Sequence, residues 1–233
     1  MFFFDPYYML FMLPAFLLMA LASWYVNAAY RKWSRVPARS RVTGYEAAQR
    51  LIMRGGLYGV EIEGVPGNLS DHYDPRRKVL RLSPGVAQGN SVAALAITAH
   101  ELGHALQDAE DYFPLRLRSA LVPAVNIGSN LGWIFIVIGL LLRWADLAWL
   151  GVIAFSASVV FALATLPVEL NASARARRLL TESGLILGED EQRGVNNVLN
   201  AAALTYVAAV VTALLQLLYF VSLVGGMGGR RRR

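Results

Sequence analysis

The chain has 233 residues and a formal charge of +6; 56% of its residues are hydrophobic and only 16% are charged. A soluble domain usually carries about 25% charged residues, so the shortfall points to lipid. Cysteine is absent, which excludes disulfides and thiolate metal sites and leaves His, Asp and Glu as the donors for any transition metal. The basic residues lie beside apolar runs rather than in a stripe with interleaved aromatics, so they speak for membrane orientation and against nucleic acid.

Crossing a hydrocarbon core takes about 20 helical residues. The first stretch that long runs from about Tyr7 to Ala29, with Trp24, Tyr25 and Tyr30 as interfacial anchors at its end. Ala20-Leu21-Ala22 resembles a signal-peptide cleavage site, but Asp5 stands where a basic n-region belongs, so an uncleaved anchor over 1–30 is expected. Residues 31–118 are less apolar and read as a separate domain. Thr43-x-x-Glu46 is a capping-box pattern opening a helix that Gly55-Gly56 stops. Val60–Glu63 and Lys78–Leu82 are strand-like, with turn signals at Pro66-Gly67-Asn68 and Asp74-Pro75. Asn90 or Ser91 then caps a helix reaching about Glu110. The order is helix, short antiparallel sheet, helix.

The second and third stretches, about Val122–Leu142 and Leu147–Leu166, are separated only by Arg143–Asp146, which predicts a transmembrane hairpin over 119–166. Residues 167–200 are expected to form a cytosolic helix. A fourth span, about Ala203–Val224, precedes a Gly-rich tail and Arg230–Arg233, completing the last segment, 201–233. Residues 30–118 and 167–200 hold 17 of the 22 Lys and Arg, so the positive-inside rule puts both in the cytoplasm. The four terminal arginines argue the other way. The expected fold is an α+β membrane protein with about four transmembrane helices and a small helix–sheet–helix domain.

His100-Glu101-Leu102-Gly103-His104 falls on the last predicted helix of that domain. Residues i and i+4 share a helix face, so His100 and His104 present two imidazoles to one ion, with Glu101 beside them to activate a metal-bound water. Zinc suits neutral imidazole and needs no thiolate. With three histidines and nine glutamates in the chain, chance gives this pattern on the order of once per thousand such chains. The rival readings are two unrelated helix-surface histidines, a structural zinc site, or an inactive relative.

A catalytic zinc takes three protein ligands and keeps one position open. His72 is the remaining histidine, and Glu169 is the single acid between Asp146 and Glu182. Two spans separate His104 from Glu169, so both lie on one side of the membrane. Glu169 is therefore favoured, with Pro167 in the first turn of its helix. Ser173, one turn on, is a candidate to orient a ligand. Asn171 lies on another face. Arg175, Arg177 and Arg178 read as a basic cluster facing the membrane.

The chain resembles the YugP-like bacterial membrane zinc metallopeptidases, which are similar to the HtpX and CAAX prenyl protease group of gluzincins. The resemblance rests on Phe4-Asp5-Pro6, Leu69–Pro75, Val79–Ser83, Ala99–Gln107 and Leu166–Ser173, in an order covering nearly the whole chain. It implies a bacterial inner-membrane location and a Glu ligand after a membrane hairpin, which maps onto Glu169. In the wider group that Glu begins Glu-x-x-Ala-Asp; here the Asp position is Ser173, which weakens its support of a zinc-bound histidine. The group's late oxyanion-stabilising histidine has no counterpart after His104, leaving His72 or Tyr73 as substitutes.

The expected reaction is endopeptidase cleavage of a peptide or protein by a zinc-bound water that Glu101 activates, with the substrate strand paired to the sheet edge near 69–82. An intramembrane protease is disfavoured because the apolar run before His100 covers only Val92–Ala99. The alternative from another class is a zinc-binding membrane scaffold without turnover, which has no need of Glu101.

Overall fold

The computed structural model describes residues 6–229, the side chains of 228 and 229 excepted. Phe4 and Asp5 of the N-terminal motif, and the terminal arginines, lie outside the described residues. The chain is mostly helical, with one three-stranded sheet. In order the elements are α1 (Pro6–Trp33), α2 (Gly44–Arg54), β1 (Glu61–Gly64), β2 (His72–Asp74), β3 (Val79–Leu82), α3 (Pro84–Ala87), α4 (Val92–Ala109), α5 (Phe113–Leu141), α6 (Ala145–Glu182) and α7 (Glu189–Gly229). Helices α1, α5, α6 and α7 are long and apolar enough to cross a membrane.

The chain divides into two compact units. One comprises residues up to 21, 116–167 and from 205 onward. Its core gathers Ile136, Ala148, Val152, Tyr219, Phe220 and Val224. Helices α5 and α6 meet there along small residues: a Cβ on Gly132 would stand 2.8 Å from the Gly151 carbonyl oxygen, and one on Gly139 2.6 Å from the Ala148 nitrogen. Close backbone approach of this kind is how helices associate in lipid, where burial of apolar surface gives no net drive. Large apolar side chains such as Leu10, Ile127, Ile153 and Leu163 are exposed on this unit, as a lipid-facing surface requires.

The other unit comprises 22–115 and 168–204. Helix α2 begins at the expected capping box: the Thr43 hydroxyl accepts from Glu46 N–H, and the Glu46 carboxylate accepts from Thr43 N–H at 2.8 Å. Ser91 caps α4 by accepting from Ala94 N–H at 3.2 Å. Leu51, Leu80, Leu82, Leu95, Leu102, Leu180 and Leu199 form one buried core with Ala-rich faces of α4 and α6. Helix α7 enters this core with Asn197, which accepts from Trp33 Nε1–H at 2.9 Å and donates to Tyr25 Oη at 2.6 Å.

The sheet is mixed rather than antiparallel, with order β1-β3-β2. β2 pairs antiparallel with β3, Tyr73 opposite Leu80, while β1 pairs parallel with β3, Glu61 opposite Val79. The antiparallel pair is closed by the turn between Asp74 and Val79, where the Asp74 carboxylate accepts from Arg76 and Arg77 N–H. That turn folds β2 onto one edge of β3, leaving β1 only the other. Helix α6 also differs from expectation. It runs unbroken through Pro167, where a new helix start was expected. The single N–H that proline withholds is a loss that long apolar helices accommodate.

Candidate metal centre

The site is built where α4 and the latter part of α6 touch. Gly103 makes the contact possible. A Cβ there would stand 2.5 Å from the Ala172 carbonyl oxygen, so only glycine lets the two backbones meet. Val168 and Ala172 are fully buried on the facing turns of α6. Between them Glu169, 3% exposed, points at α4.

The Glu169 Oε2 atom lies 3.2 Å from His100 Nε2 and 3.4 Å from His104 Nε2. The two imidazoles stand edge to face, with centroids 4.9 Å apart and planes at 85°. One donor atom from each of His100, His104 and Glu169 falls within 4.8 Å of the others. Each imidazole turns its Nε2 toward Glu169 and has its Nδ1 engaged elsewhere. His100 Nδ1 is 3.2 Å from Ser173 Oγ, and His104 Nδ1 is 3.0 Å from Gln107 Oε1. The donor set therefore fits zinc: two imidazole nitrogens and a carboxylate oxygen converge, each ring braced through its second nitrogen. Both histidines keep 12–13% of their side chains exposed, so the centre has an opening.

Glu101 is half-buried. One of its oxygens, Oε2, accepts the Tyr73 backbone N–H at 3.0 Å, while Oε1 takes no hydrogen bond among the described residues. Desolvation pushes the Glu101 carboxyl up, against the pull of the neighbouring histidines. For His104 burial works against the charged form, but the Glu169 carboxylate and Glu101 outweigh it and raise the imidazole above its usual value.

The structure gathers His100, His104, Glu101, Glu169, Ser173 and Asn171. Tyr73 reaches the site by its backbone; its hydroxyl points away and donates to Asp108 Oδ2 at 2.9 Å. Burial and that carboxylate raise the phenol well above its ordinary pKa. His72, the next residue on an alternating strand, is exposed, with Nδ1 2.8 Å from the Ser70 carbonyl oxygen and Nε2 3.4 Å from the Arg81 guanidinium. It is not among the gathered groups. Asn171 accepts from Gln107 Nε2 at 2.9 Å and from Arg175 Nε at 2.7 Å. Arg175, expected to face the membrane, instead pairs with Glu110 at 2.7 Å. Sequence reasoning missed Gln107. Its signal was position, three residues after His104 on the same helix face.

Over residues 8–225 the chain matches the model of a family described as "putative neutral zinc metallopeptidase". It is 48% identical over 200 residues to the "putative membrane protease YugP" of Bacillus subtilis (strain 168), covering 86% of this chain and 88% of that protein. No solved structure is significantly similar to the chain. With its paired histidines and buried glutamate on facing helices, the chain belongs to this neutral zinc metallopeptidase family.

Proposed function

We propose that the chain is a membrane-anchored zinc endopeptidase of gluzincin type, with His100, His104 and Glu169 holding the metal and Glu101 acting as general base. The observation that carries this reading is the convergence of Glu169 Oε2 on both Nε2 atoms within 3.4 Å, beside a carboxylate with one unengaged oxygen. The chemistry that a bound zinc ion supplies is Lewis acidity toward water and toward a carbonyl oxygen.

The chain's own residues do the rest. Glu101 takes the proton of the attacking water at Oε1 and returns it to the leaving amine, while Tyr73 N–H holds Oε2 and fixes the carboxylate plane. Ser173 and Gln107 keep the two rings from rotating. Strand β2 is an edge strand beside α4; with Tyr73 N–H taken by Glu101, an extended peptide would pair near Glu101 through the remaining main-chain groups of that edge. The domain faces the cytoplasm, a reading supported by the concentration of Lys and Arg in residues 30–118 and 167–200.

The test is cleavage of casein and a peptide library by purified protein and its Glu101→Gln variant, with zinc content measured in both. Turnover in the wild type and a fall of about 10²–10⁴ in the variant is expected, with zinc retained. A zinc-loaded wild type that cleaves nothing, like the variant, would overturn the enzyme reading and leave a metal-holding scaffold.

A further inference from the structure

The two histidines are braced by groups of different kinds. Ser173 Oγ, against His100 Nδ1, both donates and accepts, so it imposes no tautomer. Gln107, against His104 Nδ1, is fully buried and is held by partners that can only act one way. Its Nε2 donates to the Val168 carbonyl oxygen at 2.8 Å, which is an acceptor only. The same Nε2 donates to Asn171 Oδ1 at 2.9 Å. That oxygen is fixed in turn by Arg175 Nε at 2.7 Å, and a guanidinium is a donor only. Arg175 is itself anchored by Glu110 at 2.7 Å and lies over the Tyr112 ring, 5.8 Å from its centroid.

Read inward from Arg175, every orientation is forced. Arg175 donates, so Asn171 turns its oxygen to it. Gln107 then turns its amide nitrogen to that oxygen and to Val168, which leaves Oε1 facing His104. An amide oxygen accepts only, so His104 carries a proton on Nδ1, which leaves Nε2, on the Glu169 side, as the nitrogen that gives its lone pair to a metal.

Resting on the zinc-site reading, we propose that Gln107 is the positioning residue of His104: it holds the ring in the Nδ1–H tautomer, with Asn171 and Arg175 as its supports. This goes beyond the general bracing of ligands because it names a direction of polarity. The chain of one-way donors starts at the Arg175–Glu110 ion pair and ends on the metal-facing nitrogen of His104.

The experiment uses full-length protein labelled with ¹⁵N-histidine; with only three histidines in the chain, single-residue assignment is feasible. Nitrogen shifts and zinc affinity, by chelator competition, are compared for wild type, Gln107→Met and Arg175→Gln. In the wild type, His104 is expected to keep its proton on Nδ1 in both the metal-free and the zinc-loaded form and to bind metal through Nε2 in the latter. Gln107→Met should mix the His104 tautomers and weaken zinc about 10–100-fold while leaving the His100 signals in place, which separates lost positioning from lost folding. Arg175→Gln should shift both readouts the same way by less. A zinc-loaded wild-type His104 without a proton on Nδ1, or Gln107→Met with unchanged His104 shifts and zinc affinity within twofold, overturns the proposal. Since neither readout needs turnover, absent proteolysis would count against the peptidase reading without touching this one.

Discussion

Gly103 on α4 stands so close to Ala172 on α6 that a single added methyl group would lie 2.5 Å from the Ala172 carbonyl oxygen. This contact sets the distance across which Glu169 reaches His100 and His104. Gly103→Ala must therefore push the helices apart or strain their backbones, at a cost of about 1–3 kcal/mol. The movement falls on the metal centre, so zinc affinity should drop together with the melting temperature. Chelator competition and thermal unfolding check both, and a variant with wild-type values in both would mean that the helices are not in this contact.

Much of this was legible in the sequence, for local reasons. Thr43 and Glu46 carry a capping box within one turn, and His100 and His104 share a face by helix period alone. Glu169 was reachable because acids are scarce in apolar segments. What the sequence hid depends on long-range pairing. β2 is three residues long and exists only because the Asp74 turn lays it on β3, so the parallel β1–β3 pairing could not be read locally. Gln107 looked like one more polar residue at a helix end, and its role appears only when Val168 and Asn171 arrive from 61 and 64 residues away. Arg175 was misplaced for the same reason, since its partner Glu110 caps the end of α4, 65 residues earlier in the chain.

Glu169→Ala removes one of three converging donors. The expected loss of zinc affinity exceeds the roughly 10–100-fold that follows removal of a group supporting a ligand, because two imidazoles alone remain. His72 does not replace it, being exposed and engaged with Ser70 and Arg81. Zinc titration of Glu169→Ala and His72→Ala separates the two. Undiminished binding in the first variant with loss in the second would transfer the third ligand to His72.

Tyr73→Phe discriminates two roles for the hydroxyl. In the structure that hydroxyl is committed to Asp108, so its removal should cost about 1 kcal/mol of stability and change kcat by only a few-fold. A hydroxyl that stabilised an oxyanion would instead cost about 10²–10³ in kcat. Steady-state kinetics beside a thermal melt distinguishes the outcomes.

Metal binding should be linked to protons through His104 and Glu101. Both have raised pKa values in the metal-free protein, and a zinc ligand must be unprotonated while a general base must be ionised. Zinc therefore displaces protons wherever His104 is still protonated, and its apparent affinity rises with pH until His104 is neutral. The same shifts act on the fold. A group whose pKa is higher folded than unfolded stabilises the fold below its unfolded value, about 4.3 for Glu and 6.5 for His, and that stability is lost as pH rises through the folded value. The metal-free protein should accordingly melt at lower temperature as pH climbs from 5 toward 8, while the zinc-loaded protein holds or gains. Calorimetry of zinc binding in buffers of different ionisation enthalpy measures the protons, and melts across that pH range measure the rest. Buffer-independent heats would show that neither group is protonated before the metal arrives.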